Sequence, residues 1–210
     1  MFDDRIDAGQ QLAVALKKYR FQDNTVVVAL PRGGVVTGYV IAKELHLPLE
    51  VAMVKKLGHP NNPEYAIGAV SLKDHVINGF ADISSEYIEQ AIEDIQRLLK
   101  KRYALYHGNK PPIDLHKKTV IVVDDGVATG KTLITALELI GNEAPDKIVV
   151  AVPVGPTRTI KKLRQYADEV ICLEAFREFF AIGSYYLDFA QVTDDQVVEL
   201  MNKANGATPS

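Results

Sequence analysis

The sequence predicts an α/β protein: a central, mostly parallel sheet flanked by helices. Three observations carry that prediction. Apolar, β-branched runs at residues 25–30, 119–123 and 147–152 alternate with segments of helical period, the pattern of βαβ units. Each of the three runs straight into a Gly- or Pro-rich turn and then a helix, as VVVALPRGG, VIVVDDGVATG and IVVAVPVGPT. Finally, 210 residues that are 47% hydrophobic and 24% charged suffice for one large core, and exclude a disordered, collagen-like or disulfide-scaffold chain.

The elements follow in order. Ile6, Leu12, Val14, Leu16 and Tyr19 recur among Gln and Lys and predict an amphipathic opening helix. Residues 25–30 form a strand, ended by Pro31-Arg32-Gly33-Gly34 and followed by a helix through Leu45. Residues 49–56 read as one further strand. The stretch Gly58-His59-Pro60-Asn61-Asn62-Pro63 is too polar and too punctuated for core, and residues 66–78 are short and β-like. Ser84 and Ser85 can cap a long helix with the apolar stripe Ile88, Ile92, Ile95, Leu99 and Tyr103. Its late charges, Lys100, Lys101 and Arg102, suit a solvated face and the helix dipole, and Pro111-Pro112 end the segment. A strand at 119–123, a helix at 130–140, a strand at 147–152, a helix at 157–166 and a strand at 169–173 complete the alternation.

Composition bounds the partners. Twenty-four basic against 27 acidic residues leave a net charge of −3, so no global positive field recruits nucleic acid. The single Cys172 lies in an apolar run and reads as a buried strand thiol. No stretch approaches the ~18 apolar residues of a membrane span, and the first residues lack an apolar leader, so the expectation is a soluble cytoplasmic protein without a membrane partner. The five histidines, His46, His59, His75, His107 and His116, show no metal-ligand spacing, and no G-x-S-x-G elbow occurs.

In an open parallel sheet the three unusual turns share the carboxyl edge, where ligands bind. The strongest signal among them is Val122-Val123-Asp124-Asp125-Gly126-Val127-Ala128-Thr129-Gly130-Lys131-Thr132. A strand delivers two carboxylates, a glycine-bearing loop follows, and Thr-Gly-Lys-Thr opens a helix whose free N–H groups and dipole favour an anion. A nucleotide-hydrolase P-loop fits poorly, because Gly126 and Gly130 are one residue too close and Asp125 would face a triphosphate. Asp124 and Asp125 could merely cap a turn, but two like charges at a buried strand end cost more than a turn requires. Paired acids beside a monophosphate cradle suit a sugar phosphate, its ribose hydroxyls bonded to the carboxylates directly or through Mg²⁺.

At these residues the sequence closely resembles the type I phosphoribosyltransferases, whose signature is a strand, two acids and a T-G-[KGA]-[TS] loop gripping phosphoribosyl pyrophosphate. The resemblance extends over most of the chain. It implies a Rossmann-like sheet forming a single domain: a core of about 1–80 and 117–175, an inserted helix at about 84–110 and a small C-terminal hood at about 174–205. It also implies an Mg²⁺-dependent transferase displacing pyrophosphate from phosphoribosyl pyrophosphate with a nitrogen acceptor, a nucleobase foremost. By the same likeness Asp124 and Asp125 hold the ribose, and Gly126, Val127, Ala128, Thr129, Gly130, Lys131 and Thr132 hold the 5-phosphate. Arg32, Gly33 and Gly34 form the pyrophosphate loop, and Lys55 and Lys56 open a mobile lid and neutralise the departing group.

The stretch from Phe176 to Phe189 can simply cover the end of the sheet, or form a hood like that of hypoxanthine-guanine phosphoribosyltransferases. The likeness then puts Phe180 on the base, Ile182 at its flank and Asp188 at the metal-pyrophosphate, though Asp188 aligns only with one extra residue. Ala128 stands where those enzymes keep an acid, as in adenine phosphoribosyltransferases, and Val152-Pro153-Val154 offers no lysine to read an oxo group, so the base stays unnamed. A homodimer is an expectation by analogy only. The alternative from another class is a phosphoribosyl pyrophosphate- or nucleotide-sensing regulator on the same fold.

Overall fold

The computed structural model describes residues 1–77, 83–108, 110–204 and 206, apart from the side chains of residues 63 and 64. Asn78 of the expected β-like segment, residue 109 of the inserted segment and residue 205 of the hood lie outside the described residues. In chain order the elements are α1 (Arg5–Ala15), β1 (Thr25–Ala29), α2 (Gly33–Leu45), β2 (Leu49–Val51), β3 (Val54–His59), β4 (Asn62–Ser71) and β5 (His75–Ile77). They continue with α3 (Ser85–His107), β6 (Thr119–Val123), α4 (Lys131–Asn142), β7 (Lys147–Pro156), α5 (Thr157–Leu163), β8 (Glu169–Phe176) and α6 (Asp194–Ala204).

Five strands form the expected parallel sheet in the order β2-β1-β6-β7-β8. β1 and β6 are buried on both faces almost throughout, as their unbroken Val and Ile runs require. One face packs Leu12, Ile41, Leu45 and Met201 of α1, α2 and α6, with Leu16 just past α1, on Val27, Ile121 and Val149. The other packs Leu133, Leu137 and Ile140 of α4 and Leu163 of α5 on Val26, Val28, Val122 and Val150. Gly9 lets α1 approach α2 closely, since a Cβ there would lie 2.8 Å from Val40 Cβ. Ile6 and Val14, counted into the apolar stripe of the first helix, are 50% and 71% exposed. The helix instead buries Ala8, Gly9, Leu12 and Ala13; Val14 stands opposite the centre of that stripe and Ile6 at its flank.

The expected single strand at 49–56 is two strands in two sheets. β2 pairs with β1 for three residues, the chain leaves the sheet at Ala52-Met53, and β3 pairs antiparallel with β4 in a separate sheet of order β3-β4-β5. The punctuated stretch at 58–63 is the tip of that hairpin, with His59 opposite Asn62. Backbone pairing holds it, so its polar side chains need no core. The long helix starts where expected, with Ser84 Oγ accepting from Tyr87 N–H at 3.3 Å. Ile88, Ile92 and Ile95 cover Leu57, Ile67 and Val70 of the small sheet, while Leu99, Tyr103 and Tyr106 enter the main core. The helix therefore fastens the hairpin to the body. Cys172 packs on the second face of the main sheet, its thiol pushed up to about 11 by burial and donating to the Glu174 carbonyl at 3.2 Å. No helix among the described residues is long and apolar enough to cross a membrane.

Candidate active site

In the strand order β2-β1-β6-β7-β8 the chain reverses its direction of growth between β1 and β6, the position where open α/β sheets bind ligands. The turns after these two strands lie side by side. Leu30 N–H donates to Val123 C=O at 2.9 Å, and Ala29 is in register with Val123. Glycine is required at 33 and 34 because the turns touch. A Cβ on Gly34 would lie 2.9 Å from Asp124 Cα, and one on Gly33 would overlap the Asp125 carboxylate. The peptide bond between Pro31 and Arg32 is cis.

The second turn makes a cradle of backbone donors. Val127 N–H is spent on Val154 C=O at 2.9 Å, and Thr159 Oγ1 donates to Ala128 C=O at 2.7 Å, so the loop is anchored from β7 and α5. Gly130 then takes φ +75° and starts α4 with no side-chain cap. The N–H groups of Ala128, Thr129, Gly130 and Thr132 have no acceptor among the described residues. With Thr129, Lys131 and Thr132 exposed around them, they form an anion-binding helix start.

The two acids differ. Asp125 is buried: Arg5 Nε donates to its Oδ2 at 2.7 Å, and Tyr186 Oη donates to its backbone carbonyl at 2.6 Å. Asp124 Oδ1 accepts the Asp125 N–H at 2.8 Å. Burial, then the neighbouring Asp125 charge, holds the Asp124 carboxyl well above the usual range, with Arg5 opposing. A carboxyl so destabilised as an anion gains from a cation or from hydroxyl donors at its open side. Among the described residues no cluster of three or more ligand-type side chains could cage a metal by itself.

Of the remaining expected residues, Ile182 meets this centre, while no contact among the described residues ties Lys55, Lys56 or Phe180 to it. Arg32 is half-buried and close enough to Asp194 to help hold that carboxyl below its ordinary range, a shift led by the Tyr106 hydroxyl at 2.5 Å. Lys55 and Lys56 are exposed on β3, a strand of the hairpin, and line two grooves against α3. Ile182 lies over Gly126, where a Cβ would come within 2.5 Å of its Cγ2. Phe180 is 87% exposed, a solvent-facing ring next in sequence to the stacked cluster of Phe176, Phe179 and Tyr185. Asp188 has polar contacts to Asp3, through its N–H, and to Ala190 N–H, through Oδ1. It lines a groove of about 200 Å³ with Arg5.

Arg5 and Tyr186, which hold Asp125, were not singled out from the sequence. Arg5 sits in the polar opening Asp3-Asp4-Arg5 and looks like any first-turn charge, while Tyr186 is one aromatic among several in the hood.

The model of the phosphoribosyl transferase domain matches residues 4–190. Two proteins from two strains of Mycobacterium tuberculosis, provisionally named phosphoribosyl transferases, are each 39% identical over 215 residues. That match takes in 98% of this chain and 47% of each relative, so the chain spans about half the length of the curated relatives it matches. The crystal structure of TT1426 from Thermus thermophilus superposes with a TM-score of 0.84 at 38% identity, over 96% of this chain and 98% of that one. A Neisseria gonorrhoeae protein crystallised with ppGpp shares the fold at a TM-score of 0.52 and 13% identity, over 97% of this chain and 94% of that one.

Proposed function

The chain belongs to the phosphoribosyl transferase domain family, and from that premise we propose that it is an Mg²⁺-dependent phosphoribosyltransferase acting on phosphoribosyl pyrophosphate in the cytoplasm. The observation that carries this reading is the meeting of two carboxylates and a cradle of free N–H groups at the switch point of the sheet. The N–H groups from Ala128 to Thr132, with the Thr129 and Thr132 hydroxyls, take the 5-phosphate. Asp124 and Asp125 accept the ribose hydroxyls, which fixes C1 over the junction of the two turns. Gly33 and Gly34 let backbone approach the pyrophosphate, and Arg32 supplies charge there.

Mg²⁺ would be held by Asp124 together with phosphate oxygens, and it supplies neutralisation of charge on the leaving pyrophosphate. The C1–O bond breaks with its electron pair departing on pyrophosphate. A nitrogen lone pair of the acceptor forms the new bond to C1, and that nitrogen sheds its proton. Charge develops toward a ribosyl oxocarbenium ion, so the protein contributes mainly positioning and electrostatic stabilisation. A flat nucleobase acceptor would stack on the exposed ring of Phe180 and meet Ile182, which lies over Gly126.

The test is pyrophosphate release from phosphoribosyl pyrophosphate and Mg²⁺ against a panel of purines, pyrimidines and small amines. Release that depends on one compound, and falls at least a hundredfold in Asp124→Asn/Asp125→Asn, supports the reading. Release unchanged in that variant refutes the roles of the acids.

A further inference from the structure

Arg5 reaches from the first turn of α1 into the contact between the two site turns. Its Nε donates to Asp125 Oδ2 at 2.7 Å, its Nη1 donates to the Ala190 carbonyl at 2.8 Å, and its guanidinium lies 3.8 Å over the ring of Phe189. The side chains of Arg5 and Asp125 are each 11% exposed. A guanidinium presents its donors in a rigid plane, so fixing Nη1 and the ring face fixes the direction of Nε. The same group borders the other turn, since a Cβ on Gly33 would lie 3.0 Å from Nε.

The frame behind it is firm. Phe2 pairs in parallel with Tyr186, with Phe2 N–H donating to Tyr185 C=O, Leu187 N–H to Phe2 C=O and Asp188 N–H to Asp3 C=O, each at 2.9 Å. The chain's first residues and the hood thus form one clasp around Arg5. Oδ2 of Asp125 is thus committed to Arg5, while the Asp125 carboxylate also meets the Asp124 side chain.

Resting on the transferase reading above, we propose that Arg5 is a positioning residue. By holding Oδ2 of Asp125 within the clasp, it presents Oδ1 to a ribose hydroxyl of phosphoribosyl pyrophosphate. It acts through Asp125 and touches neither phosphate group. Arg5 therefore matters for ribose recognition only while Asp125 is a carboxylate.

The test is a double-mutant cycle read by calorimetric binding of phosphoribosyl pyrophosphate with Mg²⁺. Wild type, Arg5→Met, Asp125→Asn and the double variant are compared after thermal melting has shown each to be folded. Arg5→Met should weaken binding at least tenfold in the native background and less than twofold in the Asp125→Asn background. Affinity for inorganic pyrophosphate with Mg²⁺ should stay within twofold. Arg5→Lys keeps the charge and loses the fork, so it should fall between wild type and Arg5→Met. It replaces Arg5→Met in the cycle if that variant does not fold, with the same criterion of loss in one background only. Equal losses in both backgrounds, or a parallel loss of pyrophosphate affinity, overturn the proposal while the transferase reading stands. A wild-type protein that binds no phosphoribosyl pyrophosphate overturns both.

Discussion

Replacing Gly130 by alanine separates two demands that the phosphate loop places on one residue. Gly130 has φ +75°, and a left-handed conformation costs an L-residue about 1–2 kcal/mol. A Cβ there would also lie 2.7 Å from Thr159 Cγ2. Thr159 cannot simply rotate away, because it is buried and its Oγ1 anchors the Ala128 carbonyl at 2.7 Å. Overpacking of this kind adds about 1–3 kcal/mol. The sum is about 2–5 kcal/mol, which for a chain of 210 residues lowers Tm by roughly 4–20 °C. Thr159→Ser removes the methyl and keeps the hydroxyl. The pair Gly130→Ala/Thr159→Ser should therefore recover the packing share and retain the ~1–2 kcal/mol backbone share. Differential scanning calorimetry of wild type, both single variants and the pair measures each share. A Gly130→Ala protein melting within about 2 °C of wild type would contradict the strain. A pair no more stable than Gly130→Ala would contradict the clash.

Two further outcomes follow from other parts of the structure. Tyr186→Phe leaves the Asp125 carbonyl without the hydroxyl that donates to it at 2.6 Å, at a cost of about 1–3 kcal/mol seen as a lower denaturation midpoint, and an unchanged midpoint would mean that another donor replaces it. At the opposite edge of the sheet, burial alone would raise the Glu169 carboxyl, but hydrogen bonds from Lys18, Tyr19 and Lys147 hold it lowered at about 2. A depressed carboxyl stabilises the fold fully above its unfolded value of 4.5 and loses that contribution as pH falls toward 2. Because the group is partly exposed, about 1–2 kcal/mol is expected after solvent screening. Glu169→Gln should lower Tm at pH 7 and narrow its gap to wild type between pH 4.5 and 3, whereas a gap independent of pH would show that the carboxylate charge contributes nothing.

The main sheet was legible because its signal is local. Val26–Val28, Val120–Val123 and Ile148–Val152 are unbroken apolar runs, and such runs are explained only by strands covered on both faces. The arrangement of the candidate loop at residues 124–132 was legible for a related reason: acids, glycines and hydroxyls that meet in one loop are also neighbours in sequence. Residues 49–59 were misread as one strand and a loop because nothing in the side chains marks the exit at Ala52-Met53. The partners of β3 lie across a hairpin whose tip is held by backbone pairing, by Asn61 N–H on His59 Nδ1 and by the Tyr87 hydroxyl on the Gly58 carbonyl. The pairing of Arg5 with Asp125 joins residues 120 positions apart, and a charge in the first turn of a helix has the same sequence pattern whether it faces water or a buried carboxylate.

The central claim is that the loop from Asp124 to Thr132 holds phosphoribosyl pyrophosphate, and direct titration tests it without knowledge of the acceptor. Calorimetry of the wild-type protein with phosphoribosyl pyrophosphate and Mg²⁺ should give saturable binding at one site per chain, weakened at least tenfold by Asp124→Asn at unchanged Tm. Absence of binding to the folded wild-type protein, or equal affinity in wild type and Asp124→Asn, would contradict it.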